Sequence, residues 1–126
     1  MVKELKGYLK TDLEETSASY VRQGLIGWED IKSFPAISVF PIGIKTKKYG
    51  EGVQGNIMRF GLGLYVTKGS SSIEDQLDDL YEELLDLGFD TIGNYIEALE
   101  ITELVYDAYN DKNKGTAYVS LEITFN

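Results

Sequence analysis

An α+β fold is predicted by three features of this 126-residue chain. Two segments repeat their apolar residues at helical spacing, four segments read as strands, and turn-forming clusters join those strands in pairs. The order is helix, strand, strand, helix, strand, strand. It predicts an antiparallel sheet of about four strands, in two hairpins, with helices packed on one face. Length suits a single domain over residues 1-126, and 43% hydrophobic with 26% charged residues is ordinary for a globular chain.

Val2, Leu5, Leu9 and Leu13, with lysines and glutamates between them, predict an amphipathic helix over 2–15. Gly7 weakens it by up to ~1 kcal/mol relative to alanine. Residues 16–33 have no clean period and read as a loop. Tyr20, Val21, Leu25, Ile26, Trp28 and Ile31 make that loop apolar, so it is expected to lie across the fold or under a neighbouring subunit. Pro35 opens a strand from Ala36 to about Lys47. Its apolar set changes parity at Pro41, from Ile37 and Val39 to Ile42 and Ile44, which predicts a bulge or bend.

The glycine-rich stretch 45–55 reads as a hairpin arm or loop. Met58, Phe60, Leu62, Leu64 and Val66 then alternate strictly, and Gly61 and Gly63 thin the strand's other face, where something can pack closely. Ser71 with Glu74, and Ser72 with Asp75, both fit a capping box for a helix over 73–88. Ile73, Leu77, Leu80, Leu84 and Leu87 form its apolar face, with Gly88 as C-terminal cap. Ile92, Tyr95, Ile96 and Leu99 hint at a further short helix. A strand over 101–109, a turn over 110–115 and a strand over 117–125 complete the second hairpin.

Cysteine and histidine are both absent. Disulfides, thiolate nucleophiles, Cys-based zinc sites and catalysis by serine–histidine or cysteine–histidine pairs are thereby excluded. Carboxylate, lysine and tyrosine chemistry is not. Residues 1–60 hold nine basic and seven acidic residues, net +2; residues 61–126 hold three and fourteen, net -11; the total is -9. Tight nucleic-acid binding needs a basic footprint that this balance lacks. A basic protein surface, or the other half of an identical subunit, suits it better. Lys3, Glu4 and Lys6 interrupt what would be the core of a signal peptide, and no apolar run approaches ~18 residues. The expectation is a soluble chain made in the cytoplasm, with no membrane span.

Asp75, Asp78, Asp79, Glu82, Glu83 and Asp86 form a carboxylate stripe opposite the leucines of the second helix. It reads either as a solvated face, or as a face that docks a basic surface or repels DNA. A metal or catalytic role is disfavoured, because an open helix face lacks the enclosed cleft that shifts a pKa. Lys45, Lys47, Lys48 and Arg59 cluster near the arm, beside Tyr49. They read as edge-strand lysines that block misassociation, or as a contact with a neighbour's acidic helix. Trp28 reads as packing or as an interface anchor. Asp107, Asn110, Asp111 and Asn113 lack calcium-loop spacing and read as a turn. Gly50, Gly52 and Gly55 lack the ending of a phosphate loop.

The layout has an N-terminal helix, an apolar loop, the strand Phe34-Pro35-Ala36-Ile37-Ser38-Val39, and a hairpin ending Arg59-Phe60-Gly61-Leu62-Gly63-Leu64-Tyr65-Val66. The capped helix Ser72–Leu87 follows, then a hairpin ending in Ala117–Phe125. In this it resembles the tail terminator (tail completion, head–tail joining) proteins of long-tailed bacteriophages and related contractile particles. The resemblance covers almost the whole chain and rests on patterns, not on a signature motif. It implies a structural virion protein at the tail–neck junction. Such a protein forms a ring, usually a homohexamer, that caps the tail tube, stops its polymerisation and offers a surface to the neck or head. It implies no cofactor and no catalytic residue, with the tail tube protein, the neck or head-completion protein and further copies of itself as partners. DNA passes through without specific binding. Other expectations stay open: another phage neck, head-closure or tube assembly protein, or a cytosolic ligand-binding or carboxylate-dependent domain.

Overall fold

The computed structural model describes residues 2–24, 26–50 and 53–125, with the backbone alone for residues 2, 46–50 and 53–55. Helix α1 (Val2–Leu13) buries Leu5, Leu9 and Leu13. It ends two residues before the expected boundary, because Glu15 and Thr16 bond to carbonyls three residues back. Thr16 then closes the end, its hydroxyl donating to Leu13 O at 2.7 Å and accepting from Ala18 N at 3.2 Å.

The segment read as a loop over 16–33 contains strand β1 (Tyr20–Gln23) and a 3-10 turn (Trp28–Asp30). Strand β1 pairs parallel with β2 (Ala36–Gly50). At four residues it is too short to display a period, and Val21 is its one buried side chain. The expected four-stranded antiparallel sheet is therefore a five-stranded mixed one, in the order β1-β2-β3-β5-β4. Strand β3 (Val53–Thr67) pairs antiparallel with β2 and with β5 (Lys114–Phe125), which pairs antiparallel with β4 (Ala98–Tyr106). Register shifts between Pro41 and Gly43, where the change of parity places a bulge.

Side chains alternate across this sheet. Ile37 and Val39 of β2, Met58 to Val66 at even positions of β3, and Ala117 to Phe125 at odd positions of β5 share one face and build the main core. Helix α1 packs there beside β1 and β2, and α2 (Ile73–Asp86) over β3 and β5. Each fully buried leucine or isoleucine contributes about 1.5–3 kcal/mol.

The opposite face carries Ala36 and Tyr65. The 26–35 connection crosses it, packing Ile31 on them with Ile26, Trp28 and Phe34 alongside, while Leu25 lies outside the described residues. The apolar loop thus lies across its own fold. Farther along, the Phe40 ring lies over Gly61 and the Tyr65 ring over Gly63, filling the face that the two glycines thin.

Ser72 caps α2, its hydroxyl accepting from Asp75 N at 3.1 Å. The expected Gly88 cap does not form. The chain leaves the helix through Leu87 in an extended conformation, and Phe89 is the residue that turns left-handed, at φ 52. Burial of the Phe89 side chain offsets that strain, which is of order 1 kcal/mol. Of the residues expected in a further short helix only Ile92 is helical, in α3 (Asp90–Gly93); Tyr95 and Ile96 follow it outside the helix, and Leu99 belongs to β4. Strand β4 starts and stops three residues earlier than the expected 101–109. Asp107 ends it by accepting from Tyr109 N at 2.9 Å.

Candidate assembly surfaces

The carboxylate stripe divides into two groups. Glu83 is half-buried and accepts from Ser17 N at 3.0 Å and from the Ser17 hydroxyl, tying α2 to the chain that leaves α1. Asp78 accepts from the Tyr106 hydroxyl at the end of β4. Asp75, Asp79, Glu82 and Asp86 are exposed, at steps of four, three and four residues that align them along one line of the helix. The ion pairs seen among the described residues, Lys10–Glu14 at 3.4 Å and Arg59–Glu122 at 3.5 Å, lie elsewhere. Among the described residues no three carboxylates gather as a metal cluster. Like charges four apart cost ~0.2–0.5 kcal/mol each, and only an external cation or basic surface would relieve them.

The basic candidates are on the other side of the sheet. Arg59 and Lys45 stand on the face opposite the helices, by their register with Glu122 and Ile57. Arg59 is engaged by Glu122 of its own chain, while Lys45 is exposed. The acidic helix and these two basic residues are therefore on opposite sides of the sheet and do not pair within the chain. The side chains of Lys47, Lys48 and Tyr49 lie outside the described residues. Within the 45–55 stretch β2 and β3 are paired out to Gly50 and Val53, past the last β5 partner at Asn56, and residues 51–52 lie outside the described residues.

Trp28 is half-buried, stacked on Phe34 at 5.5 Å and edge-on to Tyr65 at 5.6 Å, with Lys114 Nζ 5.4 Å from its ring. Its packing is within the chain, and one side stays accessible. The Asn/Asp cluster is a turn. Asn110 exchanges hydrogen bonds with the Thr116 backbone at 2.9 and 2.7 Å. Asp111 accepts from Asn113 N and Lys114 N at 2.7 and 2.9 Å, and these two bonds hold its carboxyl below the usual range.

Two features escaped sequence reasoning. Asp12 is fully buried on the helix-covered side, and its signal was a carboxylate inside the leucine stripe of α1. The other is an open groove of about 470 Å³ between the end of α2, the Gly88–Gly93 turn and the start of β4. Leu85, Leu87, Ile96, Leu99 and Ile101 line it, with Glu97 and Glu100 among them. It brings together residues from three elements, so no local pattern could reveal it. Its exposed lining is polar and apolar in about equal measure, with the leucines offering the apolar part. No helix among the described residues is long and apolar enough to cross a membrane.

The chain matches no family model and no curated protein.

Proposed function

We propose that this chain is a non-catalytic structural protein of a phage tail, of the tail terminator type, forming a ring at the tail–neck junction. The observation that carries the reading is the separation of charge by the sheet: exposed carboxylates of α2 on one side, Lys45 and Arg59 on the other. A monomer gains nothing from that arrangement. Copies placed around an axis set the basic edge of one beside acidic residues of the next, so that charges a monomer keeps apart become an intersubunit contact. The long hairpin beyond the sheet and the order of elements supply further support, and a net charge of -9 suits a bore past which DNA slides. Tail tube and neck proteins are the partners in this reading, with no cofactor.

The test is light scattering with negative-stain imaging at low and high salt, with and without purified tail tubes. Closed rings, or density capping tube ends, with salt-sensitive assembly is the expected outcome. A strict monomer at high concentration that never binds a tube end would sink the reading. A ligand-binding domain is the second reading, and the groove beside β4 is its one support. Saturable uptake of an apolar small molecule by a persistent monomer would favour it.

A further inference from the structure

Two exposed features stand level on opposite edges of the sheet. On the β2 side, β1 covers only Ala36–Val39, and the edge beyond is open. Pro41 to Lys45 are all exposed, Ile42 by 52% and Ile44 by 57%. On the β4 side lies the groove, with Leu85 exposed by 53%. Register across the sheet places Pro41 in one row with Phe60, Leu121 and Ile101, and Ile44 in one row with Met58, Ile123 and Leu99.

Side chains of one row share a face. Ile44 and Leu99 therefore both belong to the helix-covered face, at the same height and at opposite edges. Strands β2 and β4 also run in opposite directions, since three antiparallel steps separate them.

We propose that the Pro41–Lys45 edge of one copy adds antiparallel to the β4 edge of a second copy, with Ile44 entering the groove beside α2. This rests on the ring reading and names its contact. The sheet continues across the interface, so open backbone groups on both edges find partners. Exposed Ile44 leaves water for the leucines of the groove, Leu85, Leu87 and Leu99. Charge agrees as well: Lys45 flanks Ile44 on the arm, and Asp86, Glu100 and Glu103 are exposed around the groove, in a stretch with no base between Lys68 and Lys112. Each copy uses a different edge toward each neighbour, which is a heterologous contact. Because the edges are level, successive copies gain little rise, and the arrangement closes as a ring instead of climbing as a filament.

The chain has no cysteine, so only introduced thiols can cross-link, and the mass of the mixed disulfide separates it from the two homodisulfides. Ile44→Cys and Leu85→Cys are made in separate proteins, mixed, oxidised mildly and read by non-reducing gel and mass spectrometry. The expected yield of mixed disulfide is about tenfold above that of Ile44→Cys with Tyr109→Cys, because docking raises the local thiol concentration. Tyr109 is a fair control, being 93% exposed at the far end of β4. Gly43→Cys with Glu100→Cys is the second pair: both share the row of Arg59 and Glu122, and a side chain at Gly43 meets nothing within 4 Å. All these positions are exposed, and far-UV circular dichroism checks each variant's fold. Yields at control level for both pairs overturn the proposal. Rings or capped tubes without either disulfide overturn this contact while the ring reading stands. Cross-linked copies that never cap a tube keep the contact and remove the tail reading.

Discussion

Asp12 holds Ile92. One oxygen of this fully buried carboxylate accepts the Ile92 backbone N–H at 2.9 Å, and the other accepts that of Thr91 at 2.9 Å. Eighty residues of sequence separate the pair. The bond fixes the short helix α3 against the last turn of α1, and through it one wall of the β4 groove. Replacing Asp12 with alanine leaves two backbone donors without acceptors, and an unmet buried donor costs ~1–3 kcal/mol. The expected loss for Asp12→Ala is about 2–4 kcal/mol in urea unfolding, with Asp12→Asn losing about half as much because one acceptor survives. A change within ~0.5 kcal/mol, the range of a surface substitution, would show that the contact is dispensable.

Gly115 faces the first residue of α2. A methyl added there would come within 2.0 Å of the Ile73 side chain and 3.3 Å of Val66. Both neighbours are buried, so neither can swing away. Gly115→Ala should cost about 1–3 kcal/mol by overpacking. In an Ile73→Ala background the same change should cost much less, so the two substitutions are expected to couple in a double-mutant cycle. Gly61 makes the contrast. Its added methyl would meet the Phe40 ring at 2.3 Å, but Phe40 is only half-buried and can move outward. Equal costs at the two glycines would contradict this account.

Two serines compete on paper to cap α2, and one does so. Ser72 accepts from Asp75 N, while Ser71 offers α2 only its backbone carbonyl, to the Gln76 side chain at 3.1 Å. Ser72→Ala is expected to lose ~1 kcal/mol and Ser71→Ala less than ~0.5 kcal/mol. Thermal melts of the two variants would decide, and a larger loss at Ser71 would reverse the assignment.

What the sequence disclosed follows a physical divide. Strand β3 and helix α2 were legible because burial on one face writes a long period into them: Met58 to Val66 by twos, Ile73 to Leu84 by threes and fours. The bulge at Pro41 was legible because it shifts that period. Strand β1 was not, since four residues with one buried side chain carry no period, and its parallel pairing depends on a partner 16 positions away. Phe89 took the left-handed turn expected of Gly88 because a buried aromatic anchor outweighed the local preference for glycine. The acidic stripe was visible in outline, yet which of its members were already engaged was not. Ser17 and Tyr106 reach Glu83 and Asp78 from distant elements.

Tyr118 gives the fold an alkaline limit. It sits on the face opposite the helices, in register with Gly63. Although Tyr118 is 40% exposed, partial burial raises its hydroxyl above the ordinary 10.0, with smaller electrostatic contributions from Tyr65 and Asp107. A raised pKa means that the folded state holds its proton longer than the unfolded chain does. The unfolded chain ionises first, so this contribution to stability is whole below pH ~10 and disappears as pH rises through the higher folded value. Tyr118→Phe cannot ionise in either state. Its stability should fall less steeply than that of the parent above pH ~10, while the two run parallel at neutral pH. Urea midpoints from pH 8 to 11 would measure this, with tyrosinate absorbance showing one late-titrating ring fewer in the variant. Superimposable alkaline slopes would mean that Tyr118 ionises as readily in the fold as in the free chain.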